Sequence, residues 1–419
     1  MDAMTVREPD LSQQTLGQRD LCDRIAQRIV AAPNGQIPFA DFMALALYDP
    51  EYGYYATNRV NIGGAGDFYT APHLGGDFGE LLAEQFAEMW RLLDYPNPFT
   101  LVEMGAGQGL LVRDILRYLH RHHDACFDAV NYVIVEGSPA LRQEQQQRMA
   151  KLAQSFGRLH WHTWEEIVPD SIVGCFFSNE LIDALPVHRV VWKDGSLYEL
   201  HVMLADAAAS PDGAQQSSAE PPMFVEAIAP LSTPALQQYF EQSDIDFVGA
   251  NYPDGYTTEV NLAALEWMET VSQRLQRGYV LTIDYGYPAQ RYYLPTRRSG
   301  TLQCYFQHRH HDDPFINIGL QDITAHVNFT ALERQGEACG LQPLGYTQQG
   351  LFLMALGLGD RIAAVSTLTS DESLTINDIL GRREALHTLI DPSGMGNFGV
   401  LLQGKGDCLA QSLQGFCMP

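Results

Sequence analysis

From residue 100 onward, short apolar runs alternate along the chain with segments of helical periodicity. The runs TLVEMG (100–105), NYVIVE (131–136) and IVGCFFSN (172–179) are largely apolar, as expected of strands buried on both faces. Between them, LLVRDILRYLHR and PALRQEQQQRMAKL have the spacing of helices, and Pro139 suits the first turn of the second one. This alternation predicts an α/β fold in which helices cover both faces of a parallel sheet.

Two predicted helices and a glycine-rich loop precede this pattern. Residues 16–31 place Leu21, Ile25 and Ile29 at helical spacing, and FADFMALALYDP predicts a second helix that ends before Pro50. The aromatic turn EYGYY and the loop GGAGDFYTAP (63–72) follow, and FGELLAEQFAEMWRLL then predicts a longer helix. We assign residues 1–98 to an N-terminal helical region that carries this loop.

Two segments interrupt the α/β core, which is predicted from residues 99–186 and 260–405. Residues 187–259, predicted as an inserted α/β subdomain, begin with a hairpin that turns at Asp194-Gly195. Within them, the polar stretch 203–222 predicts a mobile loop. Residues 285–330 are rich in aromatic residues, His and Arg, and are too long for a plain linker. Near the C-terminus, NFGVLLQGKG predicts an edge strand.

Composition and charge narrow the classes of function. The chain has 51 acidic and 26 basic residues, a formal net charge of −25, whereas binding to nucleic acid needs a basic surface. We therefore expect no nucleic acid partner. Solubility is the simplest explanation of the charge, although an acidic surface could also attract a basic substrate. No apolar stretch approaches the ~20 residues that a membrane span needs, so no span is expected.

The cysteines and histidines indicate no metal site. The seven cysteines are scattered and include no CxxC pair, which argues against a disulfide framework and against a zinc site. The cluster HRHHDD (308–313) matches no familiar ligand spacing, so a polar loop is the preferred interpretation. A reducing cytosol suits this cysteine usage, and MDAMTVREPD lacks the apolar core of a secretory signal. We expect a cytoplasmic protein.

Acidic residues lie at the ends of two neighbouring predicted strands. Glu103 is followed by Gly105, Gly107 and Gly109, and Glu136 ends the next strand. Ligands of open parallel sheets bind beyond the carboxyl ends of the strands, and glycines let the backbone approach a ligand closely. A carboxylate such as that of Glu136 can accept both hydroxyls of a ribose. Glu103 suits a cationic ligand and would repel phosphate.

These features together favour S-adenosylmethionine, which combines a ribose with an ammonium and a sulfonium group and has no phosphate. Leu110 stands where a dinucleotide fingerprint would have its third glycine, which disfavours a nicotinamide dehydrogenase. A glycine loop alone is weak evidence, and a glycine turn beside ordinary surface acids is the plain alternative.

The segment SNELIDALPVHR (178–189) carries the candidate catalytic residues. Asn179 and Glu180 lie where class I methyltransferases keep their substrate-orienting residues. If the acceptor is an arginine, which is protonated at physiological pH, carboxylates could hold it by paired charge-assisted bonds and align it with the sulfonium methyl. Glu180 is the first candidate for this role and Asp183 the second. A capping role explains Asp183 equally well.

Seven motifs, in this order, resemble one known family. They are GDFYTAP, FGELLAEQF, VEMGAGQG, VEGSPALRQEQ, NELIDALPVHR, RGYVLTIDYGY and GLQDITAHVNFTAL. The chain resembles the MidA-like family of S-adenosylmethionine-dependent methyltransferases over residues 17–405. This family is related to the arginine methyltransferase that serves as a mitochondrial complex I assembly factor. The resemblance implies a class I methyltransferase (Rossmann-like) fold with a mixed seven-stranded sheet. The activity that it implies, by way of the mitochondrial relative, is symmetric dimethylation of an arginine in a complex I subunit.

The resemblance also implies roles for single residues at the cofactor site. Gly105, Ala106, Gly107 and Glu136 would hold S-adenosylmethionine, while Asn179 and Glu180 would face its methyl group. The GDFYTAP loop of the N-terminal region, with Asp67, Thr70 and Pro72, would close over the methionine end. At Gly75 relatives commonly carry Ser, which puts a hydroxyl contact there in doubt.

For the acceptor side, the resemblance implies a substrate cleft formed by residues 285–330. Asp284 and Tyr285 would line it, and Asp322 and His326 would cap it. His326 is also a candidate general base because histidine titrates near neutrality, although a packed histidine is an equally good interpretation.

Several alternatives stay open at the level of sequence. The acceptor could be another side chain or a small molecule, or the chain could bind S-adenosylmethionine as an assembly factor without turnover. The leading hypothesis is a protein arginine N-methyltransferase whose partner is an unidentified protein carrying the arginine. Mono- and dimethylation are not distinguished, and the oligomeric state is open, with a homodimer among the alternatives.

Overall fold

A computed structural model describes residues 17–56, 70–205, 222–307, 309–367, 375–406 and 412–417 of the 419-residue chain. In these ranges the α-helices are Arg19–Ala31, Phe39–Tyr48, Asp77–Leu92, Leu110–His122, Asp124–Ala129, Pro139–Arg148, Ala150–Phe156, Ala235–Gln242, Leu262–Arg274, Ala289–Tyr292, Phe329–Ala338, Gln349–Ala355, Leu358–Thr367 and Ile376–Ile390. Short 3₁₀ helices are Pro33–Gly35, Ala71–Leu74, Trp164–Glu166, Met395–Asn397 and Gln414–Phe416. None of these helices combines the length and the apolar character that crossing a membrane requires.

The strands of the described residues form four sheets. In chain order they are β1 (Gln36–Pro38), β2 (Phe99–Met104), β3 (Val130–Val135), β4 (Leu159–His162), β5 (Ile172–Asn179), β6 (His188–Lys193), β7 (Ser196–Leu204), β8 (Phe224–Ala229), β9 (Tyr256–Val260), β10 (Leu275–Asp284), β11 (Gly286–Tyr287), β12 (Gln303–Phe306), β13 (Arg309–His311), β14 (Asp322–Thr324), β15 (Val327–Asn328), β16 (Gln342–Gln348) and β17 (Gly399–Lys405).

The largest sheet has seven strands in the order β16-β17-β10-β5-β2-β3-β4. The five strands from β10 to β4 are parallel, and β17 and β16 are antiparallel to their neighbours. Side chains of the buried central strands alternate between two apolar layers: in β2, Leu101 packs into one layer and Val102 into the other. The predicted class I methyltransferase fold, with a mixed seven-stranded sheet and helices on both faces, is confirmed.

One prediction about this sheet was wrong. The run NFGVLLQGKG forms β17, but β17 is not an edge strand, because it pairs with β10 on one side and β16 on the other. The edge strand on this side of the sheet is β16, with the sequence QPLGYTQ, whose side chains are exposed or half-buried. A polar edge strand has no continuous apolar run, so the hydrophobic pattern did not reveal it.

A second, antiparallel sheet lies outside this core. It joins β6 and β7 in a hairpin whose turn residues, Asp194 and Gly195, both have positive φ, as the predicted hairpin required. Strands β9, β8 and β1 complete it, so the N-terminal region contributes Gln36–Pro38 to the sheet of the inserted segment. The predicted loop 203–222 lies mostly outside the described residues.

Candidate active site

Four parallel strands end at one edge of the large sheet and bring the candidate residues together. Strand β2 is followed by Gly105, β3 by Glu136 and β5 by Glu180, while β10 ends at Asp284. Because the carboxyl ends of parallel strands share one edge, residues almost 180 positions apart become neighbours there. The edge is therefore the candidate site.

The glycine loop after β2 needs glycine for conformation and for space. Gly105, Gly107 and Gly109 all have φ in the left-handed region, at 69°, 52° and 73°. A Cβ on Gly105 would lie 2.6 Å from Cδ1 of Leu181, in the segment that follows β5. The loop can approach that segment only because Gly105 has no side chain.

A cavity of about 300 Å³ lies beyond these strand ends, and we call it the first cavity. The predicted residues that line it are Thr70, Pro72, Glu103, Gly105, Ala106, Gly107, Glu136, Asn179 and Glu180. Gly109 does not line it and instead precedes the helix Leu110–His122. Asp67 lies outside the described residues.

The Glu136 carboxylate is held in place from two sides. One oxygen accepts a hydrogen bond from the backbone N–H of Ser138 and the other from Nε2 of Gln145, both at 2.9 Å. Gln145 Nε2 also donates to the carbonyl oxygen of Gly107 at 2.9 Å, so one amide group fixes the acid and the glycine loop together. Each carboxylate oxygen keeps a free lone pair, so Glu136 can still accept ligand hydroxyls.

Glu103 contributes a buried acid to the same cavity. Tyr132 Oη donates to its carboxylate at 2.7 Å, and burial raises the pKa of Glu103 to about 8. A cation bound in the first cavity would favour the charged form of this carboxylate and would lower its pKa again.

A second cavity, of about 310 Å³, adjoins the first. It is lined by Tyr55, Glu180, Asp183, Tyr285, Gly286, Tyr287, Tyr305, Asp322, Thr324, His326, Ser393, Gly394, Asn397 and Phe398. Among the described residues, only Tyr55 and Glu180 line both cavities. A group transferred from one cavity to the other would therefore pass between these two side chains.

Glu180 is placed at this boundary by an unusual backbone conformation. Its φ of 51° lies in the left-handed region, which is uncommon for Glu and recurs at functional sites. Burial and the nearby charge of Asp183 raise the pKa of Glu180 to about 8. Asn179 Nδ2 donates to the Glu180 carboxylate at 3.0 Å, which limits this rise.

Asp183 faces the second cavity and not the first. The hydroxyl of Tyr285 donates to its Oδ2, whereas its Oδ1 is buried without a hydrogen-bond partner in the described structure. Burial raises the pKa of Asp183 to about 6. An unpartnered carboxylate oxygen in a cavity is a ready acceptor for a ligand N–H group.

Asp284 lies beneath the second cavity and does not line it. Its Oδ2 accepts hydrogen bonds from the backbone N–H groups of Leu181 at 3.2 Å and Ile182 at 2.9 Å. Its Oδ1 accepts one from the N–H of Tyr285 at 2.9 Å. Asp284 thus holds the backbone that carries Glu180 and Asp183, and this contact explains its place better than a direct contact with substrate.

Tyr55 and Asp322 join the N-terminal region to the second cavity. Tyr55 Oη donates to Oδ1 of Asp322 at 2.9 Å, and the Tyr55 carbonyl oxygen accepts a hydrogen bond from Ser138 Oγ at 2.9 Å. The ring stacks on Tyr48, with centroids 5.4 Å apart. Tyr55 is therefore fixed at the boundary from several directions.

His326 is a neutral side chain in the wall of the second cavity. Burial and the charge of Arg297 lower its pKa to about 4, and its ring meets Tyr285 and Tyr287 edge-on at 5.3 and 5.2 Å. Its Nδ1 is buried without a described partner. A base with so low a pKa is weak, so the geometry favours a hydrogen-bonding role over proton abstraction.

The first cavity fits S-adenosylmethionine chemically. Besides Glu136 and Glu103, two buried atoms of lining residues have no hydrogen-bond partner in the described structure, Asn179 Oδ1 and Trp267 Nε1. An acceptor and a donor of this kind can pair with the polar atoms of a nucleoside amino acid. Among the described residues, no group of three or more His, Cys, Asp or Glu side chains could hold a metal ion.

Sequence reasoning missed Gln145 and recognised Tyr55 only as part of the aromatic turn EYGYY. Gln145 is 1% exposed and follows Leu141, also buried, by four positions on one helix face. This spacing could have marked Gln145 as an inward-facing polar residue. No sequence signal places Tyr55 between two cavities, because its hydrogen-bond partners Asp322 and Ser138 are far away in the chain.

Comparison with known proteins agrees with this chemistry. A family model described as "Putative S-adenosyl-L-methionine-dependent methyltransferase" matches residues 81–347. The mitochondrial protein arginine methyltransferase NDUFAF7 homolog of Drosophila melanogaster is 30% identical over 91% of this chain and 83% of its own length. The human protein arginine methyltransferase NDUFAF7 is 28% identical over 88% of this chain and 80% of its own length.

A solved structure resembles the whole molecule. A Burkholderia thailandensis protein, crystallised with S-adenosyl-homocysteine, superposes with a TM-score of 0.80 at 31% identity. The match covers 99% of this chain and 98% of that protein.

Proposed function

Because this chain belongs to the family of S-adenosyl-L-methionine-dependent methyltransferases, we propose that it methylates an arginine side chain of a protein. S-adenosyl-L-methionine is its cofactor, and it supplies an electrophilic methyl group on a sulfonium. The methyltransferase relatives named above are protein arginine methyltransferases, which supports arginine as the acceptor.

The residues of the first cavity have defined tasks in this proposal. Glu136, held by Ser138 and Gln145, would bind the ribose hydroxyls. Asn179 Oδ1 and the carboxylate of Glu103 would accept hydrogen bonds from the α-ammonium group of the cofactor. These contacts would leave the sulfonium facing the boundary formed by Glu180 and Tyr55.

One observation carries the choice of arginine: Glu180 lines both cavities, and the second cavity adds the carboxylates of Asp183 and Asp322. A guanidinium is charged at any physiological pH and binds carboxylates through planar, paired hydrogen bonds. The free Oδ1 of Asp183 could accept one such bond. Tyrosine rings around the same cavity, among them Tyr285 and Tyr305, offer faces on which a guanidinium can stack.

The raised pKa of Glu180 also suits the reaction. A guanidinium nitrogen that gains a methyl group must lose one proton for the product to keep a single positive charge. A carboxylate with a raised pKa is a stronger base than an ordinary one, and the bound cations favour its charged form, which can accept that proton. Glu180 would therefore both orient the acceptor nitrogen and receive its proton.

The proposal extends to the target protein, the product and the location in the cell. The family resemblance suggests a subunit of a respiratory complex I as the target and symmetric dimethylation as the product. The cytoplasm is the proposed location, because Cys22, Cys126, Cys175 and Cys304 are buried free thiols that need no oxidising compartment.

The proposal is tested by label transfer from S-adenosyl-L-methionine with a deuterated methyl group to proteins of cells that lack this gene. We expect tandem mass spectrometry to find the label on arginine ω-nitrogens. Glu180→Gln should bind cofactor nearly as well as the wild type but transfer no label, whereas the exposed Glu266→Gln should behave normally. Label on other side chains only, or cofactor binding without transfer, would overturn the proposal.

A further inference from the structure

The second cavity has a positively charged edge at Tyr287 in addition to its carboxylates. The guanidinium carbons of Arg291 and Arg297 lie 4.7 and 4.9 Å from the centroid of the Tyr287 ring. Tyr287 lines the cavity, and its ring meets that of His326, also in the lining. We call Tyr287, Arg291 and Arg297 the cationic rim. The cavity therefore carries acids at its boundary with the first cavity and cations at this rim.

No carboxylate in the described part of the chain neutralises the charges of the rim. Among the described residues, neither Arg291 nor Arg297 forms an ion pair. The Arg291 side chain is exposed, and Arg297 Nη1 donates to the carbonyl oxygens of Arg291, at 2.8 Å, and Tyr292. Since carbonyl oxygens carry no net charge, both guanidinium groups remain free to attract an anion. The effect of Arg297 on the pKa of His326 indicates that its field reaches the cavity wall.

Buried contacts fix the segment that bears the rim. The carboxylate of Glu259 accepts a hydrogen bond from the backbone N–H of Thr301 at 2.7 Å, and the hydroxyl of Tyr293 donates to the Glu259 carbonyl oxygen at 3.2 Å. Both Glu259 and Tyr293 are 1% exposed. The two arginines therefore extend from a held backbone, so that only their side chains need to be ordered when an anion binds.

We propose that this enzyme selects arginines that have an acidic residue close by in the sequence, and that Arg291 and Arg297 bind the neighbouring carboxylate. This inference rests on the proposed arginine methylation. The overall charge of −25 would otherwise repel an acidic segment, so a local pair of cations at the cavity matters for recognition. The same pair would disfavour arginines in basic tracts, because a neighbouring lysine or arginine would face like charge at the rim.

The test compares kcat/KM for three peptides of one length that differ only beside a central arginine, with flanking Asp, Ser or Lys. We expect the Asp peptide to exceed the Ser peptide by about fivefold, the effect of an exposed charge pair, and the Lys peptide to be the poorest. The preference should shrink as salt is raised from 0.05 to 0.5 M, concentrations chosen for the assay, because exposed charges are screened.

Charge-reversed variants decide whether the rim causes the preference. Arg291→Glu and Arg297→Glu should each remove the difference between the Asp and Lys peptides, because the remaining arginine is balanced by the new carboxylate, and the double variant should reverse their order. The matched control, Arg121→Glu at the end of the helix Leu110–His122, changes the net charge equally but should keep the wild-type order. Unchanged affinity for S-adenosylhomocysteine would show that each variant is folded.

The outcomes separate this inference from the function it rests on. Two results would overturn the proposed role of the cationic rim but not the arginine methylation. One is methylation of all three peptides at equal rates, and the other is an order of kcat/KM that Arg291→Glu leaves unchanged. The α-carboxylate of free arginine could bind the cationic rim in the same way as an acidic neighbour in a peptide. If free arginine reached the kcat/KM of the Asp peptide, the assignment of a peptide substrate would be overturned. If no arginine is methylated in any of these assays, the proposed function is overturned, and this inference with it.

Discussion

Replacing Glu180 by Gln should stabilise the folded protein at alkaline pH although it removes the proposed catalytic group. The pKa of Glu180 rises from 4.5 to about 8 on folding, mainly because burial disfavours the charged carboxylate. The folded state then binds more protons than the unfolded state between these values, so wild-type stability falls as pH rises through this window. This titration costs the wild type about 1 kcal/mol at pH 5 and about 4 kcal/mol at pH 8.

Glutamine does not titrate and can still accept the hydrogen bond from Asn179. The stability gained by Glu180→Gln should therefore grow by roughly 3 kcal/mol between pH 5 and pH 8. Urea unfolding of both proteins at these two pH values measures the difference. Glu266→Gln, on the exposed face of the helix Leu262–Arg274, is the matched control and should show the same small effect at both.

A stability difference that does not depend on pH would refute this reasoning. It would mean that the Glu180 carboxyl is solvated in the folded protein and titrates normally. Glu180 would then be a carboxylate of ordinary basicity and could not serve as the proposed acceptor of the arginine's proton.

Three further predictions concern the first cavity. Glu136→Ala should weaken binding of S-adenosylmethionine more than tenfold in calorimetry, since ribose hydroxyls left unpaired cost ~1–3 kcal/mol; an unchanged dissociation constant would exclude the ribose contact. Gln145→Ala should weaken it severalfold by releasing Glu136 and the glycine loop, whereas Gln146→Ala, at the exposed neighbouring position, should not; equal effects would contradict the positioning role. Gly105→Ala should lower stability by about 1–2 kcal/mol and impair binding, because alanine is disfavoured at a φ of 69° and would press on Leu181; a neutral substitution would count against the loop geometry.

The sequence predicted most of the sheet because burial left a clear pattern. Strands β2, β3 and β5 are buried on both faces, so their apolar runs stand out between helices. Strand β16 was not predicted, because an exposed edge strand needs no apolar run. The pairing of β1 with β7 was not predicted either, since a strand of three residues is too short to show a periodicity.

The candidate site was predictable where it depends on strand ends and unpredictable where it depends on packing. Gly105, Glu136 and Glu180 follow parallel strands, and the fold class alone brings such residues to one edge. The division into two cavities needs Tyr55, whose hydroxyl bonds Asp322 across 267 positions of the chain. Nor could the sequence tell that Asp284 supports the backbone beneath the site, because that role depends on three N–H groups 101 to 103 residues away.

The central claim is that the methyl group crosses from the first cavity to an arginine in the second, between Glu180 and Tyr55. A crystal structure with both S-adenosylhomocysteine and an arginine peptide tests it most directly. We expect the ribose on Glu136, the sulfur at the boundary, and the guanidinium in the second cavity on Glu180 and Asp183. A ribose bound elsewhere, or a guanidinium outside the second cavity, would contradict the account.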